Sequence, residues 1–142
     1  MAGARIGYAL SHPELIRSFD KIRNHFGVSR AAQAGALAAL ADQDYLQKTL
    51  THIAVARDDI SRIAKANGLK ALPSATNFVA IDCGQDGVFA KAVLDGLIAR
   101  DIFVRMPFVA PQNRCIRVSC GTQSDLDALA EALPQALADA RA

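Results

Sequence analysis

The sequence predicts an α/β protein whose C-terminal part is a small domain of the α+β type. In that domain a long helix leads into a sheet of about three strands, with helices packed on one face. Two observations support the prediction: residues 43–67 carry apolar side chains in a single helical stripe, and the chain after residue 76 alternates short strands with amphipathic helices. The 142 residues are enough to bury a core.

The first third of the chain predicts one short strand and two helices. The apolar run of residues 5–10 favours a strand, and residues 14–26 place apolar side chains at helical spacing up to Gly27. Ser29 is a suitable N-cap for an alanine-rich helix over residues 30–41.

The long helix is predicted from Gln43 to Asn67, with Asp42 as its N-cap. Gly68 follows the helix and takes the left-handed conformation without strain, so it marks the end. The apolar side chains recur three, four or seven residues apart, and they are Leu46, Leu50, Ile53, Ile60 and Ile63.

The second half of the chain predicts the small sheet and its helices. Alternation of apolar and polar side chains indicates three strands, at residues 77–83, 102–105 and 114–120. Residues 89–99 form an amphipathic helix between the first two strands. Thr122 and Asp125 have the spacing of a capping box that opens a last helix.

Composition argues against several classes of function. The formal net charge is only +2 and no block of like charge occurs, so neither a nucleic acid nor a membrane surface is an expected partner. Three cysteines without metal-ligand spacing, together with three scattered histidines, favour a reduced protein that binds no metal. The N-terminus lacks the pattern of a signal peptide, so the expected location is the cytoplasm.

Arginine side chains are the candidate binding groups. In residues 114–120, Arg117 interrupts an apolar alternation and has small neighbours, Cys115 and Ser119, on its face. Its planar guanidinium suits a carboxylate, although on composition alone an exposed position in water is the favoured explanation. Arg105 is a second candidate, and Arg5, between Gly3 and Gly7, is a third that suits a phosphate.

Five segments in order and spacing resemble pyridoxal-phosphate-dependent aminotransferases of fold type I, in the histidinol-phosphate and aromatic aminotransferase branch. The segments are "MAGARIGYA", "RNHFGVSRAAQAGALAALADQDYL", "LPSATNF", "IFVR" and "CIRVSCGT". The resemblance spans essentially the whole chain. It implies that residues 1–28 are a remnant of the large cofactor-binding domain and that residues 29–142 are the C-terminal small domain with its connecting helix.

The resemblance also implies roles for the three arginines. Arg5 matches the arginine that binds the phosphate of pyridoxal 5'-phosphate, and Arg117 matches the one that binds the α-carboxylate of the substrate. Arg105 matches an arginine found near the substrate side chain. No catalytic residue is assigned within the chain, because the Schiff-base lysine of the family pattern is expected about three residues before Met1.

We therefore expect this chain to be the last third or so of a longer enzyme, called the parent enzyme below, and to be inactive alone. The parent enzyme is expected to be a homodimeric transferase that moves an amino group between an amino acid and a 2-oxo acid. Apolar residues at 106–114 favour an aromatic amino acid as donor over histidinol phosphate. The alternative is a non-catalytic binding or interaction domain that keeps the same scaffold and the carboxylate-binding Arg117.

Overall fold

The computed structural model describes residues 2–142, and the chain forms two compact units, residues 1–48 and 49–142. Met1, which the family motif aligns with an apolar position, lies outside the described residues. The division at residues 28 and 29, predicted from the family resemblance, concerns the parent enzyme and stays a prediction.

The first unit contains helices joined by irregular segments. A short 3-10 helix spans Ala2–Ala4, α1 spans Pro13–Asp20, α2 spans Arg30–Ala41, and the long helix α3 begins at Gln43. Ser29 and Asp42 are N-caps as predicted: Ser29 Oγ accepts from the N–H of Ala32 at 3.1 Å, and Asp42 Oδ1 accepts from the N–H of Tyr45 at 3.0 Å.

The predicted strand at residues 5–10 is wrong, because these residues form no strand. A single extended segment leaves its backbone donors and acceptors unpaired, so it needs a neighbouring strand to be stable. The side chains of Tyr8 and Leu10 remain 75% and 88% exposed. Arg5 has a positive φ of 52°, which an extended strand does not allow.

The helix predicted to reach residue 26 ends at Asp20. The side-chain oxygen of Asn24 accepts a hydrogen bond from the N–H of Phe26 at 2.9 Å, and the carbonyl of Asn24 accepts one from Gly27 at 3.1 Å. Asparagine side chains that bond nearby backbone in this way compete with helical hydrogen bonds. The local turn at Asn24 therefore replaces the last helical turns.

The second unit contains the remainder of α3 and the small sheet with its helices. The elements are α3 (Gln43–Ala66), β1 (Lys70–Ala71), β2 (Phe78–Asp82), α4 (Gly87–Ile98), a 3-10 helix (Gln112–Arg114), β3 (Cys115–Ser119) and α5 (Gln123–Arg141). Gly68 ends α3 with a φ of +72°, as predicted. The predicted capping box is present, since the side chain of Asp125 accepts from the Thr122 N–H at 2.7 Å.

The sheet has three antiparallel strands in the order β1-β2-β3. The number of strands agrees with the prediction, but one of the three strands is formed by a different segment from the one predicted. The short strand β1 was not predicted, and residues 102–105 contribute only one isolated bridge, between Arg105 and Arg117. Pro107 has no N–H to extend this pairing towards Cys115, and on the other side of the bridge Phe103 is not paired with Ser119, so the segment does not become a strand.

One face of the sheet carries the core. Val79 lies opposite Val118 and Ile81 lies opposite Ile116, and all four are buried together with apolar side chains of α3, α4 and α5. The predicted arrangement of helices on one face is confirmed. Along α3, Ile60 is fully buried, whereas the predicted stripe residues Leu46 and Leu50 remain 41% and 50% exposed.

Candidate functional site

Arg117 lies on the face of the sheet opposite the core. It pairs with Ala80 in the β2–β3 ladder, and its neighbours along the strand, Cys115 and Ser119, have short side chains. The residue is only partly buried, and its Cζ atom lies 4.7 Å from the centroid of the Phe78 ring. Strand alternation predicted this face correctly, because side chains in a strand point alternately to its two sides.

Arg105 joins the sheet beside Arg117. The Arg105 N–H donates to the Arg117 carbonyl at 3.1 Å, and the Arg117 N–H donates to the Arg105 carbonyl at 2.6 Å. Directly opposed residues of an antiparallel pair project their side chains to the same face. Both guanidinium groups therefore emerge from one side of the sheet, and that of Arg105 has its Cζ 5.8 Å from the centroid of Phe103.

A hollow of about 500 Å³ opens at this place, and both arginines line it. The remaining wall is largely apolar and includes Leu94, Phe103, Met106 and Phe108. Apolar walls with a few charged groups are typical of sites for small molecules. The structure thus joins the two arginines that were identified separately in the sequence.

The charge of the hollow is not neutralised from within. Among residues 2–142, none of the ion pairs includes Arg105 or Arg117. Asp82, the acid of β2, is occupied elsewhere: its Oδ1 accepts from Arg114 Nε at 2.9 Å and from the Gly84 N–H at 2.8 Å. The two guanidinium groups are therefore available to an anion from outside this part of the chain.

The pKa of Asp82 agrees with this arrangement. Burial raises the pKa, but the hydrogen bond from Gly84 and the charge and hydrogen bond of Arg114 outweigh burial and leave the pKa below its ordinary value. Asp82 is consequently ionised at neutral pH and bound to Arg114. The sequence analysis did not identify this pair, since only the β2–β3 register brings the two residues together.

Arg5 lies in the first unit, at an exposed position. Neither Gly3 nor Gly7 has an atom within 4 Å of where a Cβ would stand, so the backbone on both sides of Arg5 is open to an approaching group. A guanidinium beside open backbone suits a phosphate dianion. Arg5 is the one of the three predicted arginines that does not line the hollow.

Two further features concern other kinds of site. Within residues 2–142, no cluster of three or more histidine, cysteine, aspartate or glutamate side chains has the geometry to hold a metal ion. None of the helices over the same residues has both the length and the apolar character that crossing a membrane requires.

Comparison with known proteins gives consistent matches. The family model "Aminotransferase class I and II" matches residues 1–133. A histidinol-phosphate aminotransferase of Syntrophotalea carbinolica is 37% identical over 134 residues, which cover 94% of this chain and 38% of that protein. Histidinol-phosphate aminotransferase 2 of Archaeoglobus fulgidus is 34% identical over 134 residues, with the same coverage.

Two solved structures resemble the fold. The histidinol-phosphate aminotransferase of Sinorhizobium meliloti, crystallised in complex with pyridoxal-5'-phosphate, is 56% identical, with a TM-score of 0.93 over 97% of this chain and 38% of that one. A putative aminotransferase of Burkholderia pseudomallei is 25% identical, with a TM-score of 0.61 over 86% of this chain and 37% of that one.

The chain therefore spans about 38% of the length of the curated relatives that it matches. The matches extend over nearly all of its residues and agree with the resemblance seen in its motifs. This chain belongs to the family of class I and II aminotransferases.

Proposed function

We propose that the parent enzyme is a pyridoxal-phosphate-dependent aminotransferase and that this chain supplies its substrate-binding arginines. The observation that carries the proposal is the hollow lined by both Arg105 and Arg117, with no carboxylate of residues 2–142 paired to either. Two guanidinium groups on one face suit a substrate with two carboxylates or with a phosphate dianion.

Arg117 binds the α-carboxylate in this proposal. Its five N–H donors lie in one plane and match the two oxygens of a carboxylate. Arg105, directly opposite on the backbone, binds the second anionic group at the far end of the substrate. In 2-oxoglutarate the second group is the distal carboxylate. Histidinol phosphate has no carboxylate, and its phosphate, joined through CH2–O to the amino-bearing carbon, takes the place of the α-carboxylate and offers oxygens to both guanidinium groups.

We propose histidinol phosphate as the amino donor and 2-oxoglutarate as the acceptor. The name that the similar proteins carry supports the donor, and a pair of guanidinium groups suits both its phosphate dianion and the two carboxylates of the acceptor. The aromatic walls formed by Phe103 and Phe108 suit the ring of the donor, whether imidazole or phenyl, which lies at the end of the molecule away from its anionic group. An aromatic amino acid, favoured by the sequence alone, remains the second donor to be assayed.

The cofactor fits this chain only at its phosphate. Arg5 is an exposed residue beside open backbone, and a guanidinium at this position suits the phosphate dianion of pyridoxal 5'-phosphate. When bound, the cofactor serves as an electron sink at the α-carbon of the substrate. Because the reactive lysine is expected outside this chain, we propose that the chain alone is inactive. Its membership of the aminotransferase family supports the further proposal that the parent enzyme is a homodimer.

A hybrid enzyme tests the proposal. This chain replaces the matched part of the Sinorhizobium meliloti enzyme, to which it is 56% identical, and turnover of histidinol phosphate with 2-oxoglutarate is measured. The hybrid should be active, whereas the chain alone should give no turnover above the blank. A hybrid that folds and binds pyridoxal 5'-phosphate but transfers no amino group would refute the proposal.

Substitutions in the hybrid test whether Arg117 binds the substrate carboxylate. Arg117→Ala should lower kcat/KM for 2-oxoglutarate by at least about 100-fold, because the two hydrogen bonds to the carboxylate together contribute about 3 kcal/mol or more. Arg117→Lys should recover only part of this loss, since an ammonium lacks the planar fork. Arg62→Ala is the matched control, because Arg62 pairs with Asp59 on the same helix and does not line the hollow.

A further inference from the structure

Phe78 is the aromatic neighbour of Arg117. It begins β2 and lies opposite Ser119, while Arg117 lies opposite Ala80. Phe78 and Arg117 are therefore diagonal neighbours on the same face of the sheet, a distance that long and aromatic side chains bridge. The Cζ of Arg117 stands 4.7 Å from the ring centroid, within the range of a cation–π contact.

Phe78 does not behave as a core residue. It is only partly buried, and it belongs neither to the buried core of the second unit nor to the partly buried apolar residues packed against that core. Packing against the helices therefore does not account for an aromatic residue at this position. The guanidinium of Arg117 is the charged group that the structure places over its ring.

An aromatic neighbour restrains an arginine without using its hydrogen-bond donors. The five N–H groups of a guanidinium point outward in its plane, so a ring beneath that plane leaves them available. A carboxylate neighbour would occupy the donors that the substrate needs. The acid of β2, Asp82, is bound to Arg114 instead.

The backbone of Phe78 is itself held in place. Its carbonyl accepts hydrogen bonds from the hydroxyl groups of Ser74 at 2.6 Å and Thr76 at 3.2 Å. These two hydroxyl groups lie 3.1 Å apart. The carbonyl of Phe78 is held by these hydroxyl groups on one edge of β2, and the other edge of β2 pairs with β3. The backbone of Phe78 is therefore fixed, and this fixes the position from which its ring contacts Arg117.

We propose that Phe78 is a positioning residue for Arg117: its ring holds the guanidinium in the orientation that binds the substrate carboxylate and leaves the donors unoccupied. The inference rests on the function proposed above and adds a residue to it. Phe78 itself contacts no substrate. Its loss should raise KM for the 2-oxo acid and leave kcat nearly unchanged, because the carboxylate is bound equally before and during the reaction.

The first experiment measures the contact in this chain by NMR. The Nε–H signal of Arg117, assigned by its loss in Arg117→Lys, should carry a ring-current shift that disappears in Phe78→Leu and returns in Phe78→Tyr. Phe103→Leu is the matched control, because the Phe103 ring contacts Arg105 and not Arg117. An Arg117 signal that Phe78→Leu leaves unchanged would overturn the proposal.

The second experiment measures binding. Titration of the chain with 2-oxoglutarate should show affinity reduced about 2- to 5-fold in Phe78→Leu and restored in Phe78→Tyr, the effect expected of one exposed cation–π contact. The same ratio should appear in KM of the hybrid enzyme, with unchanged kcat. Equal affinities for Phe78→Leu and the unmodified chain, with unchanged melting temperatures, would contradict the positioning role.

The two proposals fail separately. If the unmodified hybrid is inactive, the proposed function is wrong, whereas the NMR signal and the titration of this chain still decide whether Phe78 orients Arg117. If the hybrid is active and Phe78→Leu changes neither the signal nor KM, only the positioning role is wrong.

Discussion

Arg105 and Arg117 lie directly opposite each other on antiparallel backbone, and each donates its main-chain N–H to the carbonyl of the other, at 3.1 and 2.6 Å. Two like charges in this position repel each other, and among residues 2–142 neither is paired with an acid. This repulsion therefore destabilises the fold at the place where an anion is proposed to bind.

Removal of one charge should stabilise the chain in the absence of ligand. We expect Arg105→Thr to raise the free energy of unfolding by about 0.2–1 kcal/mol, because the repulsion is relieved and threonine favours extended backbone. Thermal unfolding at low salt measures the difference, which should shrink as salt screens the two charges. A melting temperature of Arg105→Thr below that of the unmodified chain at low salt would contradict the expected repulsion.

The pair formed by Asp82 and Arg114 should make stability depend on pH. The pKa of Asp82 in the folded chain lies below its ordinary value, so the carboxylate stabilises the fold at a pH above about 4 and loses this effect as the pH falls through the lowered pKa. Asp82→Asn should therefore melt below the unmodified chain at pH 7, and the gap should close below pH ~4.

The control for this pH dependence is Asp58→Asn, since Asp58 is exposed on α3 and belongs to none of the ion pairs formed by residues 2–142. Its melting temperature should follow that of the unmodified chain throughout the titration. A gap between Asp82→Asn and the unmodified chain that stays constant down to pH ~3 would contradict the role given to the carboxylate.

Gly96 sets the distance between α4 and α5. A Cβ at this position would stand 3.1 Å from Cβ and 3.2 Å from Cα of Ala136, which is fully buried in α5. Gly96→Ala should lower the free energy of unfolding by about 1 kcal/mol, because overpacking costs about 1–3 kcal/mol and exceeds the gain of about 1 kcal/mol in helix propensity.

Denaturant unfolding of Gly96→Ala and of the unmodified chain measures the difference. An equal dependence of the free energy of unfolding on denaturant concentration in the two proteins would show that the substitution changes stability alone. An exposed helix position such as Val88→Ala is the control, because it changes helix propensity without touching α5. If Gly96→Ala is more stable than the unmodified chain, the contact with Ala136 does not limit the packing.

The cysteines should differ in their reaction with iodoacetamide at pH 8. Burial raises the pKa of Cys83 to about 11, and its side chain is 3% exposed, so it forms little thiolate and should stay unmodified in the native chain. Cys120 is partly exposed and should react first. Mass spectrometry before and after denaturation identifies the sites, and rapid native alkylation of Cys83 would show that the β2–β3 core opens.

Local signals in the sequence predicted much of the fold. The caps at Ser29, Asp42 and Thr122 and the stop at Gly68 act through hydrogen bonds or backbone preferences within a few residues, so they can be identified before the fold is known. The face occupied by Arg117 followed from strand alternation in the same way.

Predictions that depended on a distant partner were less successful. Residues 5–10 are apolar enough for a strand but have no strand to pair with among residues 2–142, and residues 102–105 pair at one position only. Strand β1 was missed because two residues carry no periodic pattern, and only its pairing with Ile81 and Asp82 makes it a strand.

By itself, then, the sequence determined the family, most of the helices with their caps, and the arginines that are proposed to bind anions. The tertiary structure alone decided that Arg105 and Arg117 share one hollow, that Arg114 occupies Asp82, and that Phe78 contacts the Arg117 guanidinium. The physical reason is that caps and alternation depend on neighbours along the chain, whereas these contacts depend on the register between strands that are far apart in sequence.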